Sequence, residues 1–327
     1  MSPFVTRCFR VSAAALLSSA TWLSSSAGAA PFAYVPNQKS GTVSVIDTAS
    51  DTVVRTLSGQ GQLGKRLQAI EIDARGKTLY VVDAEHDLLV ALDPASDTIT
   101  HQVAIGKDAE GVRLSPSGTL LAVCAEGQNR VLLIDVKTFA IKASIPVQGR
   151  NPEHCEFTAD GKTLVTSNEG SDNLDLIDVA EHVSTGIIAT SGHPRGAAFL
   201  PGTSRLYVAQ ETANAVDVID VAQRKKIATI ASAVRTAGIA ISADGKRLYA
   251  ANGGAGSVSV IDVPTNAVIK EIGVGKRPWN MALTPDGKKL YVANGRSNSV
   301  SVIDTHALKV VAEIAVGELP WGVAIAR

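Results

Sequence analysis

The chain has 327 residues, and its 31 basic and 31 acidic side chains give a formal net charge of zero at pH 7. This balance excludes a general attraction to nucleic acid or anionic lipid, although a local charged patch is compatible with it. The length would accommodate two domains, but one continuous internal repeat favours a single closed unit.

Residues 1–29 have the pattern of a secretory signal peptide. Arg7 and Arg10 precede an apolar stretch over residues 11–23, and small residues lead up to a cleavage site after Ala29. The apolar stretch is too short and too rich in serine to span a bilayer. We therefore expect a periplasmic or secreted protein without membrane insertion. Loss of the two arginines leaves 29 basic against 31 acidic residues, a net charge of −2.

The remaining sequence, residues 30–327, repeats with a period near 42 residues. Each of the seven repeats closes a Val-rich run with an Ile-Asp or Leu-Asp pair, whose aspartates are Asp47, Asp93, Asp135, Asp178, Asp220, Asp262 and Asp304. Short alternating apolar runs, broken by Gly, Pro or Asp, are typical of propeller blades and not of helical arrays. The repeated aspartates are predicted to cap turns.

Each full repeat predicts four strands, A to D. In the last one, strand A covers residues 278–284 and the turn Pro285-Asp286-Gly287 follows. Strands B, C and D then cover residues 290–294, 300–303 and 309–316. Strand A recurs at residues 67–73, 109–115, 152–158, 194–200 and 236–242.

The two ends of the chain complement each other. The first repeat begins at strand B, residues 32–37, and the chain ends on an unpaired strand A, residues 320–326. Joining them would complete a blade and remove the open sheet edges. The sequence therefore predicts an all-β fold, a seven-bladed propeller of four-stranded antiparallel blades, closed by the C-terminal strand.

The segments AYVPN, LYVVD, LYVAQ, LYAAN and LYVAN, with the SPDGK-like hairpins and SVSVID runs, resemble the YVTN-repeat family of bacterial β-propellers. The Pro-Trp pairs in the last two A strands also resemble exported propellers associated with PQQ-dependent catabolism. These resemblances imply the fold. They do not imply an activity, because the matching residues belong to turns and to the core.

The B–C loops and D–A connections vary between repeats and share one end of the predicted ring, so we expect a binding site there. Four arginines at the start of strand A could together hold a small anionic ligand: Arg66, Arg195, Arg235 and Arg277. Alternatively they bridge blades through Glu110 and Glu153. His193 belongs to the same ring of residues.

Trp279 and Trp321 occupy the second position of strand A in two adjacent blades. They could stack on an aromatic ligand or a nucleic acid base. They share strand parity with Met281 and Val323, however, and this parity favours packing between blades.

The middle of strand A carries charges in three consecutive blades, Glu71, Arg113 and Glu156, where the other blades have alanine. An acid–base–acid chain lining a wet channel is expected, because charges near the axis are rarely buried unpaired. His154 shares parity with Glu156 and would add a titratable group.

An enzymatic alternative comes from a weaker resemblance. The segment PRGAAFLPGTSRLYVAQE resembles seven-bladed lactonases of the phosphogluconolactonase type at Arg195 and Glu211, but Gly196 replaces that family's histidine. Arg296 lies near the position of a further arginine of that family. The resemblance implies that the arginines would polarise the carbonyl and that Glu211 or His154 would act as the base.

No metal site, cofactor motif or Cys-x-x-Cys-His haem motif is present in the sequence, so we expect no cofactor. Cys124 and Cys155 either pair across neighbouring repeats or are small buried side chains. The sequence favours a monomeric, non-enzymatic scaffold for an unidentified protein partner or small anionic ligand. A lactonase-like hydrolase and single-stranded nucleic acid binding are the alternatives.

Overall fold

The computed structural model describes Met1 and residues 31–326, and the latter form seven four-stranded antiparallel sheets. The prediction of an all-β, seven-bladed propeller is confirmed. Apart from Met1, the predicted signal peptide lies outside the described residues. The described part has no α-helix, only the 3-10 turns Glu126–Gln128 and Glu169–Ser171, and therefore no helix long and apolar enough to cross a membrane.

Strand A is the innermost strand of each blade and strand B pairs with it. We number the blades from the one that contains the N-terminal strand B. The A strands of blades 1 to 7 are Ala324–Ile325, Leu67–Ile72, Ala109–Leu114, Pro152–Phe157, Pro194–Phe199, Thr236–Ile241 and Pro278–Leu283. The B strands are Phe32–Asn37, Leu79–Asp83, Leu120–Ala125, Thr163–Asn168, Arg205–Gln210, Arg247–Asn252 and Lys289–Asn294.

Strands C and D complete each blade, and strand D lies at the outer edge. The C strands of blades 1 to 7 are Thr42–Asp47, Leu88–Asp93, Arg130–Asp135, Asn173–Asp178, Ala215–Asp220, Ser257–Asp262 and Ser299–Asp304. The D strands are Thr52–Leu57, Thr98–Ala104, Ile141–Pro146, Val183–Ala189, Lys225–Ala231, Ala267–Gly273 and Lys309–Ala315. Strands B and C are the most buried because they pack between neighbouring blades.

Strand A does not alternate regularly. In blade 7, Pro278 pairs with Asn294 but Met281 pairs with Val292, so three steps along strand A match two along strand B. Strand A of blades 2, 3, 5 and 6 has the same irregularity, and blade 4 has a related one. Such a bulge reverses the facing of side chains on either side of it. The regular alternation of side chains along strand A is therefore interrupted near its start.

The bulges bring neighbouring A strands very close together. A Cβ at Gly238 would lie 2.2 Å from the backbone oxygen of Trp279, and one at Gly111 would lie 2.3 Å from that of Glu153. Only glycine fits at these positions.

A buried asparagine at the end of strand B explains part of the repeat. Asn294 is fully buried, and its Nδ2 donates to Ser299 Oγ at 3.2 Å and Ser301 Oγ at 2.8 Å. A Cβ at Gly275 would lie 2.6 Å from this side chain, so the D–A connection carries glycine there. Asn37, next to Gly317, has the same surroundings. These repeated residues hold the B–C loop and the D–A connection together.

The turns at the opposite end are capped as the sequence predicts. The Asp304 carboxylate accepts hydrogen bonds from the amides of His306, at 2.9 Å, and Ala307, at 2.8 Å. Asp47 and Asp135 act in the same way in their own blades. The prediction that the repeated aspartates cap turns is confirmed at these positions.

The C-terminal strand closes the ring on blade 1. Ala324 pairs with Tyr34 and Ile325 pairs with Ala33, while the Trp321 amide donates to the Pro36 carbonyl at 3.0 Å. The regular strand is shorter than the predicted 320–326, because the backbone leaves the ladder at the position where the other A strands bulge. The predicted closure itself is confirmed.

Cys124 and Cys155 are both free, buried thiols in one apolar cluster between blades 3 and 4. A hydrogen bond with Cys124, and burial, raise the pKa of Cys155 well above its usual value. Burial and a high pKa make the thiol a weak nucleophile.

The close approach of the A strands predicts a sharp difference between two glycine substitutions. Gly238→Ala should destabilise the protein by about 1–3 kcal/mol or more, because its Cβ meets backbone that cannot move aside cheaply. Gly273→Ala is the matched control, since a Cβ there meets nothing within 4 Å. It should be neutral or stabilise by about 0.4–1 kcal/mol. Denaturant unfolding of both variants checks the prediction, and equal stability would contradict the packing described here.

Candidate functional site

The B–C loops and D–A connections form one end of the ring, which we call the mouth face. The second residues of strand A lie at this end of the strand: Gln68, Glu110, Glu153, Arg195, Ala237, Trp279 and Trp321. Neighbouring members contact each other, since Gln68 Nε2 donates to Glu110 Oε1 at 3.2 Å. The mouth face thus has a polar ring instead of the apolar packing found deeper between the blades.

Glu211, in the B–C loop of blade 5, is the centre of the largest group of ion pairs. Its side chain is 3% exposed, and Oε1 lies 2.7 Å from Arg235 Nη2 and 3.0 Å from Arg277 Nη2. Oε2 lies 3.5 Å from Arg195 Nη1. We call these four residues the Glu211 cluster. Three of the four arginines predicted to hold an anion therefore converge, but on a carboxylate of the protein itself.

The fourth arginine lies elsewhere. Arg66 pairs with Asp108 at 3.0 Å, and both side chains are about half exposed. It does not join the Glu211 cluster. His193 does border it, with Nε2 3.0 Å from Glu169 Oε2 and 3.7 Å from Glu211 Oε2.

Arg195 links the Glu211 cluster to the acidic side chains of blade 4. Its Nη1 donates to Glu169 Oε2 at 2.8 Å, and its Nη2 lies 2.7 Å from Glu153 Oε1. The second contact lacks the alignment of a hydrogen bond, so it is an ion pair only. Arg195 therefore bridges blades 4 and 5 through Glu153, as the alternative to an anion site predicted.

Carboxyl groups outnumber cations on the side of blades 3 and 4. Burial raises the pKa of Glu126 to about 7, and the nearby carboxylates of Glu110 and Glu169 add to the shift. Burial also raises the pKa of Glu153 well above its usual value, against the opposing effect of Arg195. We call Glu110, Glu126, Glu153 and Glu169 the acidic sector. Within it, Glu126 and Glu153 hold their protons more tightly than isolated carboxyl groups do.

Sequence reasoning missed Glu126 and Glu169, although a signal for them exists. Aligned on the end of strand B, blades 3, 4 and 5 carry glutamate at the same next position, Glu126, Glu169 and Glu211. Only Glu211 was singled out, because the lactonase resemblance covers that blade alone.

As predicted, Trp321 packs against a neighbouring blade, since its buried ring belongs to one apolar cluster with residues of blades 2 and 3. It also makes a contact that the sequence did not predict. Its ring stacks on the ring of His154, with centroids 5.6 Å apart and planes inclined by 14°. His154 belongs to blade 4 and Trp321 to blade 1, so this contact crosses the channel.

Trp279 is partly buried and packs against the same apolar cluster as Trp321. A Cβ at Gly295 would lie 2.7 Å from the indole ring, so this glycine makes room for it. The Arg277 guanidinium lies over the Trp279 ring, 5.8 Å from the ring centroid. Neither tryptophan presents an open stacking face to a base.

His154 is held neutral by its surroundings. Burial, followed by the positive charges of Arg195 and Arg113, lowers its pKa to about 3. Both ring nitrogens are buried without a hydrogen-bond partner. A neutral imidazole covered by Trp321 is poorly placed to exchange protons with a ligand.

Deeper in the channel, Arg113 joins two carboxylates on neighbouring blades. Its Nη1 lies 2.8 Å from Glu71 Oε1 and its Nη2 lies 2.8 Å from Glu156 Oε2. Burial lowers the pKa of Arg113, but Glu156 and Glu71 outweigh this effect and raise it overall. The three side chains are partly exposed to the channel, so the acid–base–acid chain lines it as a salt bridge between blades.

Arg296 is separated from Arg195 and Glu211 in this arrangement. It lines an open pocket between blades 6 and 7 with Lys276, Arg277 and the loop 253–256. A second open pocket, between blades 5 and 6, is lined by His193, Glu211, Thr212, Asn214 and Arg235. Both pockets lie on the mouth face. Within residues 31–326, no group of three or more acidic, histidine or cysteine side chains is arranged to bind a metal.

Seven four-stranded blades around a polar channel define the class of this protein as a seven-bladed β-propeller. The family model described as YncE-like β-propeller matches residues 5–326, and the chain belongs to that family. This agrees with the resemblance to YVTN-repeat propellers. A search of curated proteins gave no match.

Several solved structures have a similar fold. A hydrazine synthase structure from Kuenenia stuttgartiensis is 23% identical with a TM-score of 0.76, covering 83% of this chain and 92% of that chain. A functionally unknown protein from Desulfotomaculum acetoxidans DSM 771 is 15% identical with a TM-score of 0.80, covering 90% and 99%. The dihydro-heme d1 dehydrogenase NirN, in complex with DHE, is 15% identical with a TM-score of 0.66, covering 87% and 63%. At these identities the likeness shows the fold alone.

The pKa of Glu126 predicts a pH-dependent contribution to stability. The folded state binds this proton more tightly than the unfolded state, whose pKa is near 4.5, so the contribution is complete below pH 4.5 and is lost as the pH rises through about 7. Glu126→Gln should therefore gain stability relative to wild type between about pH 5 and about pH 8. Thermal melts at both pH values check this, with the exposed Glu318→Gln as control. A difference that does not change with pH would contradict the raised pKa.

Proposed function

We propose that this protein is an exported, non-enzymatic scaffold that binds a ligand or a protein partner through its mouth face. The observation that carries the proposal is the Glu211 cluster, in which the candidate catalytic groups Arg195 and Glu211 are already paired within the protein. The signal-peptide pattern of residues 1–29 supports export. Loops that vary between blades, on a rigid ring, are suited to recognition.

Glu211 is a poor general base in this arrangement. Burial raises its pKa, but Arg195, Arg235 and Arg277 outweigh burial and lower the pKa overall. A general base works best with a pKa near the operating pH. The carboxylate is also engaged by Arg235 through two nitrogens, Nε at 2.8 Å and Nη2 at 2.7 Å. These contacts support a structural role over proton abstraction.

The arginines are equally engaged. The Arg195 guanidinium is 16% exposed and surrounded by Glu153, Glu169 and Glu211. A lactone carbonyl would have to displace one of these carboxylates to be polarised by it. Nucleic acid binding loses support for the same reason, because phosphates would compete with carboxylates already in place.

Two pockets on the mouth face support binding there. Their volumes are about 280 Å³ and about 370 Å³, and both are open to solvent. They are small for enclosed ligand sites, which range over roughly 300–1,000 Å³. Open, shallow pockets of this size suit a ligand or partner that contacts the surface of the ring.

The proposal is tested on the exported protein, whose first residue should be Ala30, inside the cell that exports it. A photo-crosslinking residue replaces Thr212 on the mouth face or, as matched control, Thr203 in an A–B turn at the opposite end; both threonines are exposed. Crosslinked adducts in the exporting cell should form from position 212 and not from position 203, because the variable loops surround only the first.

An enzymatic role is tested with a lactone panel. We expect no hydrolysis by the wild-type protein above that of Arg195→Ala and Glu211→Ala. Turnover by the wild type that both substitutions abolish would contradict the scaffold and establish the hydrolase. Adducts that form only from position 203 would place the partner at the end opposite the mouth face and would contradict the proposal.

A further inference from the structure

The charge of the mouth face changes sign around the ring. The residue that follows strand B is glutamate in blades 3 to 5 but glycine in blades 6 and 7, Gly253 and Gly295. The acidic sector lies on the first side. On the second side the loop 252–257 reads NGGAGS and contributes no side chain larger than a methyl group between its ends. The open pocket between blades 6 and 7 lies beside this glycine-rich loop, where the B–C loops of blades 3 to 5 carry the glutamate side chains.

This pocket is lined by three cations and no carboxylate. Its lining comprises the loop 253–256, Val274, Gly275, Lys276, Arg277 and Arg296. Arg277 is paired with Glu211. Within residues 31–326, Lys276 and Arg296 have no carboxylate within ion-pair distance, unlike the arginines of the Glu211 cluster. We call this the basic pocket.

We propose that the basic pocket binds the phosphate group of a small ligand. Two unpaired cations beside one cavity favour a doubly charged oxyanion, which the planar guanidinium of Arg296 can contact through two N–H groups and the Lys276 ammonium as a point charge. The Glu211 cluster does not offer such a site, because its own carboxylate takes the place of the anion.

Recognition in the basic pocket depends on side chains. The backbone amide of Gly253 donates to the Arg235 carbonyl at 2.7 Å, and that of Gly254 donates to the Val234 carbonyl at 2.9 Å. The loop amides are therefore already bonded, and the glycines contribute room for the ligand. Because Lys276 and Arg296 are exposed, binding should weaken as salt is added.

The site is tested by NMR titration of the full mature protein with inorganic phosphate and, separately, glycerol 3-phosphate, at constant ionic strength set with chloride. The amides of Gly253, Gly254, Gly256 and Gly275 should shift and saturate, since they surround the pocket. A preference for glycerol 3-phosphate would identify a phosphate ester as the ligand, and equal binding would identify free phosphate as sufficient.

Charge-matched variants separate the pocket from general electrostatics. Removing both cations, in Lys276→Gln/Arg296→Gln, should weaken binding by about tenfold or more, the loss of roughly one charge-assisted contact. Ala255→Glu, which places a carboxylate in the pocket, should do the same. The control Lys225→Gln/Lys309→Gln removes two charges from exposed positions on outer strands and should bind as wild type does.

Absence of saturable shifts in the wild type would overturn the proposal, as would unchanged binding by Lys276→Gln/Arg296→Gln. Equal weakening in the control double variant would also overturn it by showing general charge attraction. The inference rests on the proposed binding role of the mouth face, and the two can fail separately. Lactone turnover would contradict the scaffold proposal without changing the amide shifts caused by phosphate. Absence of those amide shifts would leave the crosslinking result unchanged.

Discussion

The pairing of the C-terminal strand with the first strand of the chain is the contact on which the whole ring depends. It joins Ala324 and Ile325 to Tyr34 and Ala33, residues that lie 290 or more positions away in sequence. Without it, strand B of blade 1 would be an exposed sheet edge. Closure also fixes the distance between opposite blades, on which the contact of Trp321 with His154 across the channel depends.

One contact across the channel joins the closing segment to blade 4, on the opposite side of the ring. The Trp321 ring reaches His154 on blade 4, so the C-terminal segment contributes to the mouth face as well as to blade 1. On the opposite end of the same seam, Lys289 Nζ of blade 7 lies 2.7 Å from Asp51 of blade 1. Blade 1 is thus held by the backbone pairing of its closing strand, by the ring stack at the mouth face and by the ion pair with blade 7 at the opposite end.

The electrostatics of the mouth face follow from crowding near the axis. At the start of neighbouring A strands, Arg195 of blade 5 meets Glu153 of blade 4 at 2.7 Å. Charges gathered so closely must neutralise each other or take up protons. Arg195, Arg235 and Arg277 keep Glu211 ionised by lowering its pKa, whereas burial raises the pKa values of Glu126 and Glu153. The charged groups of the mouth face are therefore engaged mainly with each other.

The fold was predictable from the sequence because its signals are local and repeated. The Ile-Asp turns, the hairpin glycines and the missing first strand A follow from the period and from turn chemistry. The stacking of Trp321 on His154 was not predictable, because it joins blades 1 and 4 across residues that are far apart in sequence. The convergence on Glu211 joins residues 16, 24 and 66 positions away in sequence, and no local pattern encodes such contacts.

Ring closure is tested most directly by the thermal stability of a protein that lacks residues 319–327. The described contacts predict a large loss of stability, because the deletion removes the closing strand, the Trp321 stack and the cover of a sheet edge together. Circular dichroism of the truncated and intact proteins, melted side by side, measures it. A truncated protein that unfolds at the same temperature as the intact one would contradict the closed ring and the mouth face built on it.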